Sequence, residues 1–69
     1  MQRQSVSSSN IASIGYDAQS ETLEVEFLDG SVYQYFNVPS RTYEGLMAAS
    51  SHGSFLNAHV KGTYQYQKL

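Results

Sequence analysis

The stretch TLEVEFLDGSVYQYFNVP, residues 22–39, decides the fold. Thr22 to Leu28 alternates strictly, with Leu23, Val25 and Phe27 on one parity and Glu24 and Glu26 on the other. Such a strand has one face that must be covered. Asp29-Gly30 supplies a pair that tolerates positive φ, and Val32 to Val38 is rich in β-formers, so a hairpin follows. Two registers compete. A two-residue turn sets Val32, Gln34 and Phe36 beside Leu23, Val25 and Phe27 and both tyrosines beside the glutamates, which buries the Gln34 amide. A type I turn over Leu28-Asp29 with Gly30 as a left-handed bulge sets Tyr33 and Tyr35 on the apolar face and Gln34 outside. An unpaired buried amide costs about 1–3 kcal/mol, whereas a tyrosine can bury its ring and keep its hydroxyl wet. The bulged turn is favoured, with Gly30 at positive φ. Pro39 ends the strand and suits the first turn of a helix.

Outward from the hairpin, Asn10 to Asp17 alternates Ala12, Ile14 and Tyr16 before the turn chemistry of Asp17-Ala18-Gln19-Ser20, which reads as a preceding strand. Residues 1–8 are polar and read as a flexible tail, leaving 9–69 as a single domain. After Pro39, Tyr43, Leu46 and Met47 mark a helix stripe that ends at Ser50-Ser51-His52-Gly53. Gly45 weakens this helix by roughly 1 kcal/mol. A second short helix is expected from Ser54 to Lys61 with Gly62 as its cap, then a strand over Thr63 to Gln67. The expected class is α+β: a small antiparallel sheet of three to four strands, in the order β-β-β-α-α-β, packed against two short helices. Leu23, Val25, Phe27, Leu46, Met47 and Phe55 form the expected core.

The composition narrows the function. The net charge is −2, too acidic for a broad phosphate-binding surface. Residues 1–35 hold Arg3 against Asp17, Glu21, Glu24, Glu26 and Asp29, whereas residues 36–69 hold Arg41, Lys61 and Lys68 against Glu44 alone, which allows a local positive face. Without cysteine there is no disulfide, thiolate metal site or Cys nucleophile, and a cytoplasmic setting is expected. The N-terminus lacks the apolar segment of a signal peptide or membrane anchor. His52 and His59 would lie roughly 10 Å apart along a helix, too far for one metal ion. No Gly-x-Ser-x-Gly elbow, Walker or dinucleotide signature occurs, and Glu24 and Glu26 read as a solvated strand face. Neither an enzyme nor a cofactor is expected.

Aromatic content is the distinctive feature. Tyr-Gln-Tyr occurs twice, at Tyr33-Gln34-Tyr35 and Tyr64-Gln65-Tyr66. On adjacent strands the four tyrosines would cluster, either as core or as a stacking surface for single-stranded RNA. The candidate binding residues are therefore Tyr33, Tyr35, Tyr64 and Tyr66, with Arg41, His59 and Lys61 to meet an anion. The leading reading is a binding module for a protein partner or a second copy, through the edge of the last strand. The alternative is weak RNA binding.

Ser9-Asn10-Ile11, Ile14-Gly15-Tyr16-Asp17, Leu23-Glu24-Val25-Glu26-Phe27, Val32-Tyr33-Gln34-Tyr35-Phe36-Asn37-Val38-Pro39, Tyr43-Glu44-Gly45-Leu46 and Ser51-His52-Gly53, in this order, resemble the KTSC domain. The resemblance covers nearly everything after Ser9. It implies a small bacterial domain that occurs alone or as a C-terminal appendage of some lysyl-tRNA synthetases, and through that appendage a link to RNA. Gln34 within Tyr-x-Tyr and His52 before Gly53 are less basic than the family pattern, which weakens that link. The resemblance brings no catalytic residue.

Overall fold

The computed structural model describes all residues 1–69. Five strands, β1 (Arg3–Ser5), β2 (Ile11–Asp17), β3 (Thr22–Phe27), β4 (Val32–Tyr35) and β5 (Tyr66–Lys68), form one antiparallel sheet in the order β1-β2-β3-β4-β5. Between β4 and β5 the chain forms helix α1 (Ser40–Ala48), the short helix α2 (His52–Phe55) and a π-helical turn over Leu56–Val60. The domain is α+β, with one strand more than the three to four expected. The additional strand is β1, inside the segment read as a tail.

The β3–β4 hairpin adopts the bulged register. Leu23 pairs with Tyr35 and Val25 with Tyr33, so both tyrosines share the apolar face, while Gln34 pairs with Glu24 on the other. The Gly30 N–H donates to the Phe27 carbonyl at 2.9 Å, the Phe27 N–H donates to the Ser31 carbonyl at 2.8 Å, and Gly30 has φ 91°. This is the left-handed bulge conformation that glycine adopts without steric cost.

The apolar face and the helices enclose Ile11, Ile14, Leu23, Val25, Tyr35, Val38, Leu46, Leu56 and Val60. Of the expected core, Leu23, Val25 and Leu46 are fully buried, whereas Phe27, Met47 and Phe55 are half-buried at its margin. Val38 takes its place because Asn37 turns the chain at φ 60° and the Val38 N–H donates to the Glu21 carbonyl at 2.9 Å, beneath the β2–β3 turn. The Tyr16 hydroxyl donates to the Val38 carbonyl at 2.5 Å, and its ring stacks on Tyr43 of α1 at 4.6 Å. Burial, with the carboxylates Glu21, Asp17 and Glu44 nearby, pushes the Tyr16 hydroxyl pKa up.

The helices depart from expectation in their limits. Ser51 caps α2 by accepting the Ser54 N–H at 3.2 Å, so the helix starts at His52 rather than Ser54. It then widens into the π turn, closed by the Lys61 N–H donating to the Leu56 carbonyl five residues back at 2.9 Å. Gly45 makes room for Phe55: a Cβ on Gly45 would lie 2.8 Å from Phe55 Cζ. The expected last strand is shorter, because the Thr63 and Tyr64 N–H groups both donate to the Val60 carbonyl and hold those residues in a turn.

The outer sheet face is polar but not simply solvated. Arg3, Gly15, Glu24, Gln34 and Gln67 form one row across all five strands. Arg3 Nη1 donates to Glu24 Oε2 at 2.6 Å and Gln34 Nε2 donates to Glu24 Oε1 at 2.8 Å, leaving Glu24 only 8% exposed. Arg3 Nη2 also lies 3.9 Å from Glu26, which accepts the Ser13 hydroxyl at 2.9 Å. Glu24, expected in solvent, is thus covered by Arg3. Gly15 permits this, since a Cβ there would meet the Gln2 carbonyl oxygen at 2.6 Å and Arg3 Cγ at 2.9 Å.

Candidate functional site

The helices cover the apolar face unevenly. Over β3, β4 and β5, at the end nearest the β3–β4 turn, they leave a groove of about 710 Å³ between the sheet and the second helical segment. This is within the size range of ligand sites. Its sheet wall is a chain of rings. Phe27 meets Tyr33 edge-on at 5.6 Å, Tyr33 lies 6.5 Å from Tyr35, and Tyr66 lies 5.7 Å from Tyr33 and 6.0 Å from Tyr35. The helical wall is Gly53, Leu56, Asn57, Lys61 and Gly62, and Ser9-Asn10 closes one end.

Two cations rim the groove. Lys61 Nζ lies 5.2 Å from the centre of the Phe27 ring and Lys68 Nζ 6.0 Å from that of Tyr33. The only ion pairs in the chain are those of Arg3, so neither lysine is neutralised by a carboxylate within 4.0 Å. One acid, Asp29, lies on the same rim. Hydrogen bonds from the Ser31 hydroxyl (2.6 Å) and the Ser31 N–H (2.9 Å) hold its pKa below the usual carboxylate value, with a smaller contribution from Lys68.

The structure gathers four of the seven candidate residues here: Tyr33, Tyr35, Tyr66 and Lys61. They differ in accessibility. Tyr66 is 61% exposed, Tyr33 half-buried, and Tyr35 only 3% exposed, a core residue whose edge reaches the groove floor. Burial, with Tyr33 and Tyr66 adjacent, pushes the Tyr35 hydroxyl pKa up. The other three lie apart. Tyr64 is off the sheet, its hydroxyl 3.3 Å from Thr42 Oγ1 of α1. Arg41 is exposed on α1, and His59 is exposed on the π turn with its ring 4.5 Å from that of Phe55. Phe27 and Lys68 were not singled out as site residues. Lys68 was legible from its two-residue spacing to Tyr66, which puts both on one strand face.

His52, by contrast, is tied into the scaffold. Its Nδ1 lies 2.8 Å from the Leu46 carbonyl in the last turn of α1, which also accepts the Ala49 N–H at 3.3 Å. No three His, Asp or Glu side chains converge as a metal site, and no helix is long and apolar enough to cross a membrane.

Comparison with known proteins fits this architecture. The KTSC domain family model matches residues 7–64. The chain belongs to the KTSC domain family. A crystal structure of a KTSC domain protein from Yersinia pestis superposes with a TM-score of 0.93 at 45% identity, covering 99% of this chain and 96% of that one. An uncharacterised protein of Stutzerimonas stutzeri is 37% identical over 100% of this chain and 99% of its own length. The lysine–tRNA ligase of Nostoc punctiforme is 39% identical over 86% of this chain, which spans 10% of that enzyme. This KTSC domain therefore corresponds to a tenth of the ligase. Both edge strands, β1 and β5, lie outside the residues matched by the family model.

Proposed function

We propose that this KTSC domain is a non-catalytic binding module that engages a protein partner at the aromatic groove and the adjoining edge of β5. The observation that carries this reading is the ring cluster of Phe27, Tyr33, Tyr35 and Tyr66, which the helices leave open at its Tyr66 end. Interface cores favour aromatic residues with a charged rim, and Lys61 and Lys68 supply the rim. The sheet edge adds backbone groups. The Phe36 N–H donates to the Gln65 carbonyl and the Leu69 N–H to the Val32 carbonyl, so by ladder alternation Gln65, Gln67 and Leu69 face β4. The N–H and C=O groups of Tyr66 and Lys68 then face outward, free to pair with another strand. Kinship with lysine–tRNA ligases and the cysteine-free composition support a cytoplasmic setting.

A photo-crosslinking amino acid introduced at position 66, with position 41 as control, tests the reading in cells. The expected result is a discrete protein adduct from position 66 and none from 41. Adducts of equal yield from both positions would refute it.

A second reading, weak binding of single-stranded RNA, draws on the same rings and lysines. Its signature is an adduct with RNA at position 66 and an affinity that falls steeply with salt.

A further inference from the structure

We infer that the occupant of the groove is an acidic peptide segment: an aromatic or long apolar side chain lies against Tyr66 and Tyr33, and flanking carboxylates meet Lys61 and Lys68. This rests on the protein-binding reading and adds the chemistry of the partner. Charge complementarity carries it. Lys61 and Lys68 stand over Phe27 and Tyr33 on the groove wall without a carboxylate within 4.0 Å, in a chain whose net charge is −2. Of the other two cations, Arg3 is paired with Glu24 at 2.6 Å, and Arg41 is exposed on α1 away from the groove. The two groove lysines are instead held on ring faces, where the cation is attracted but not neutralised. An incoming carboxylate gains this unspent charge, and the ring beside it gains the exposed face of Tyr66.

The number of charges distinguishes a peptide from a nucleic acid. Two lysines match one or two carboxylates. A single strand of RNA presents a phosphate at every nucleotide, more than two lysines can meet. Asn57 and Gly62 also line the groove, where they offer polar contacts to a peptide backbone.

The test is amide chemical-shift mapping on the full chain with three probes: a short peptide with one phenylalanine flanked by glutamates, the same peptide with lysines for glutamates, and oligouridylate. The expected result is saturable shifts at Tyr33, Lys61, Tyr66 and Lys68 with the glutamate peptide. Binding should weaken about tenfold in the exposed double variant Lys61→Glu/Lys68→Glu, which should then prefer the lysine peptide. Equal binding of both peptides by the native chain would overturn the acidic assignment and leave the protein-binding reading intact. Groove shifts with oligouridylate alone would overturn both, as would no groove shifts with any probe at millimolar concentration. Groove shifts on simple dilution of the protein would make a second copy the occupant and overturn the inference.

Discussion

Replacing Arg3 with alanine tests whether the N-terminal residues are part of the fold. Glu24 is 8% exposed and its carboxylate has two side-chain donors, Arg3 at 2.6 Å and Gln34 at 2.8 Å. Arg3→Ala leaves a nearly buried carboxylate on one neutral amide. A hydrogen bond to a charged group contributes about 1.5–3 kcal/mol. The Arg3 side chain is 30% exposed, so solvent screening puts the loss toward the lower end, about 1.5–2 kcal/mol. A chain of this size has roughly 3–5 kcal/mol in all. At about 4–8 °C per kcal/mol, the melting temperature should fall by about 6–16 °C.

Urea denaturation followed by circular dichroism gives the free energies for Arg3→Ala, Glu24→Gln and the double variant. If the loss comes from the stranded carboxylate, Glu24→Gln in the Arg3→Ala background should recover part of it, because an uncharged amide costs less to bury. The coupling should be about 1 kcal/mol or more, well above that of an exposed pair. A wild-type urea midpoint for Arg3→Ala would mean that residues 1–8 are the frayed tail their composition suggests, and that β1 adds nothing to stability.

Gly15→Ala should reproduce most of the Arg3→Ala loss and add little to it, since its Cβ would meet the Gln2 carbonyl oxygen at 2.6 Å and lift the same strand; amide exchange of residues 3–5 should accelerate. Gly45→Ala should lower the melting temperature even though alanine gains about 1 kcal/mol of helix propensity, because the new Cβ falls 2.8 Å from Phe55 Cζ, and in a Phe55→Leu background the same substitution should become neutral or stabilising. Burial raises the hydroxyl pKa of both Tyr16 and Tyr35 above the ordinary value of about 10, so their contribution is complete below that value and is lost as pH rises through the folded values. The urea midpoint should therefore fall above about pH 10, and Tyr35→Phe should flatten that decline. Asp29 has the opposite sign: its lowered pKa makes the turn's contribution complete above the ordinary carboxylate value, lost as pH falls through the folded one, and absent in Asp29→Asn.

The hairpin was legible because its two signals act at short range. The period-2 pattern of residues 22–28 fixes a face, and the cost of burying Gln34 selects the register. The positions of β2 and of α1 after Pro39 follow from equally local rules. What local rules miss is set by partners distant in sequence. Arg3-Gln4-Ser5 is exposed throughout and has no apolar alternation; it is a strand because Arg3 finds Glu24 across a glycine. Val38 enters the core through a left-handed Asn37, which glycine-based turn rules do not flag. The π turn likewise arises in a segment that reads as an ordinary helix, and the turn that follows it, in which the Thr63 and Tyr64 N–H groups donate to the Val60 carbonyl, removes those two residues from the expected last strand.

That shift also explains why the site was only half legible. A symmetric reading of the two Tyr-Gln-Tyr segments places all four tyrosines on the sheet. The sheet holds three of them, in a graded series from buried Tyr35 through half-buried Tyr33 on β4 to exposed Tyr66 on the edge strand β5. Tyr64 is turned onto α1 instead. Core and surface are therefore not alternatives for this cluster: its inner member holds β4 in the fold, and its outer member is the exposed face that the proposed partner would meet. It follows that Tyr35→Ala cannot probe binding, since it removes a core ring, whereas Tyr66→Ala can, and a Tyr66→Ala domain that lost its fold would contradict this division of labour.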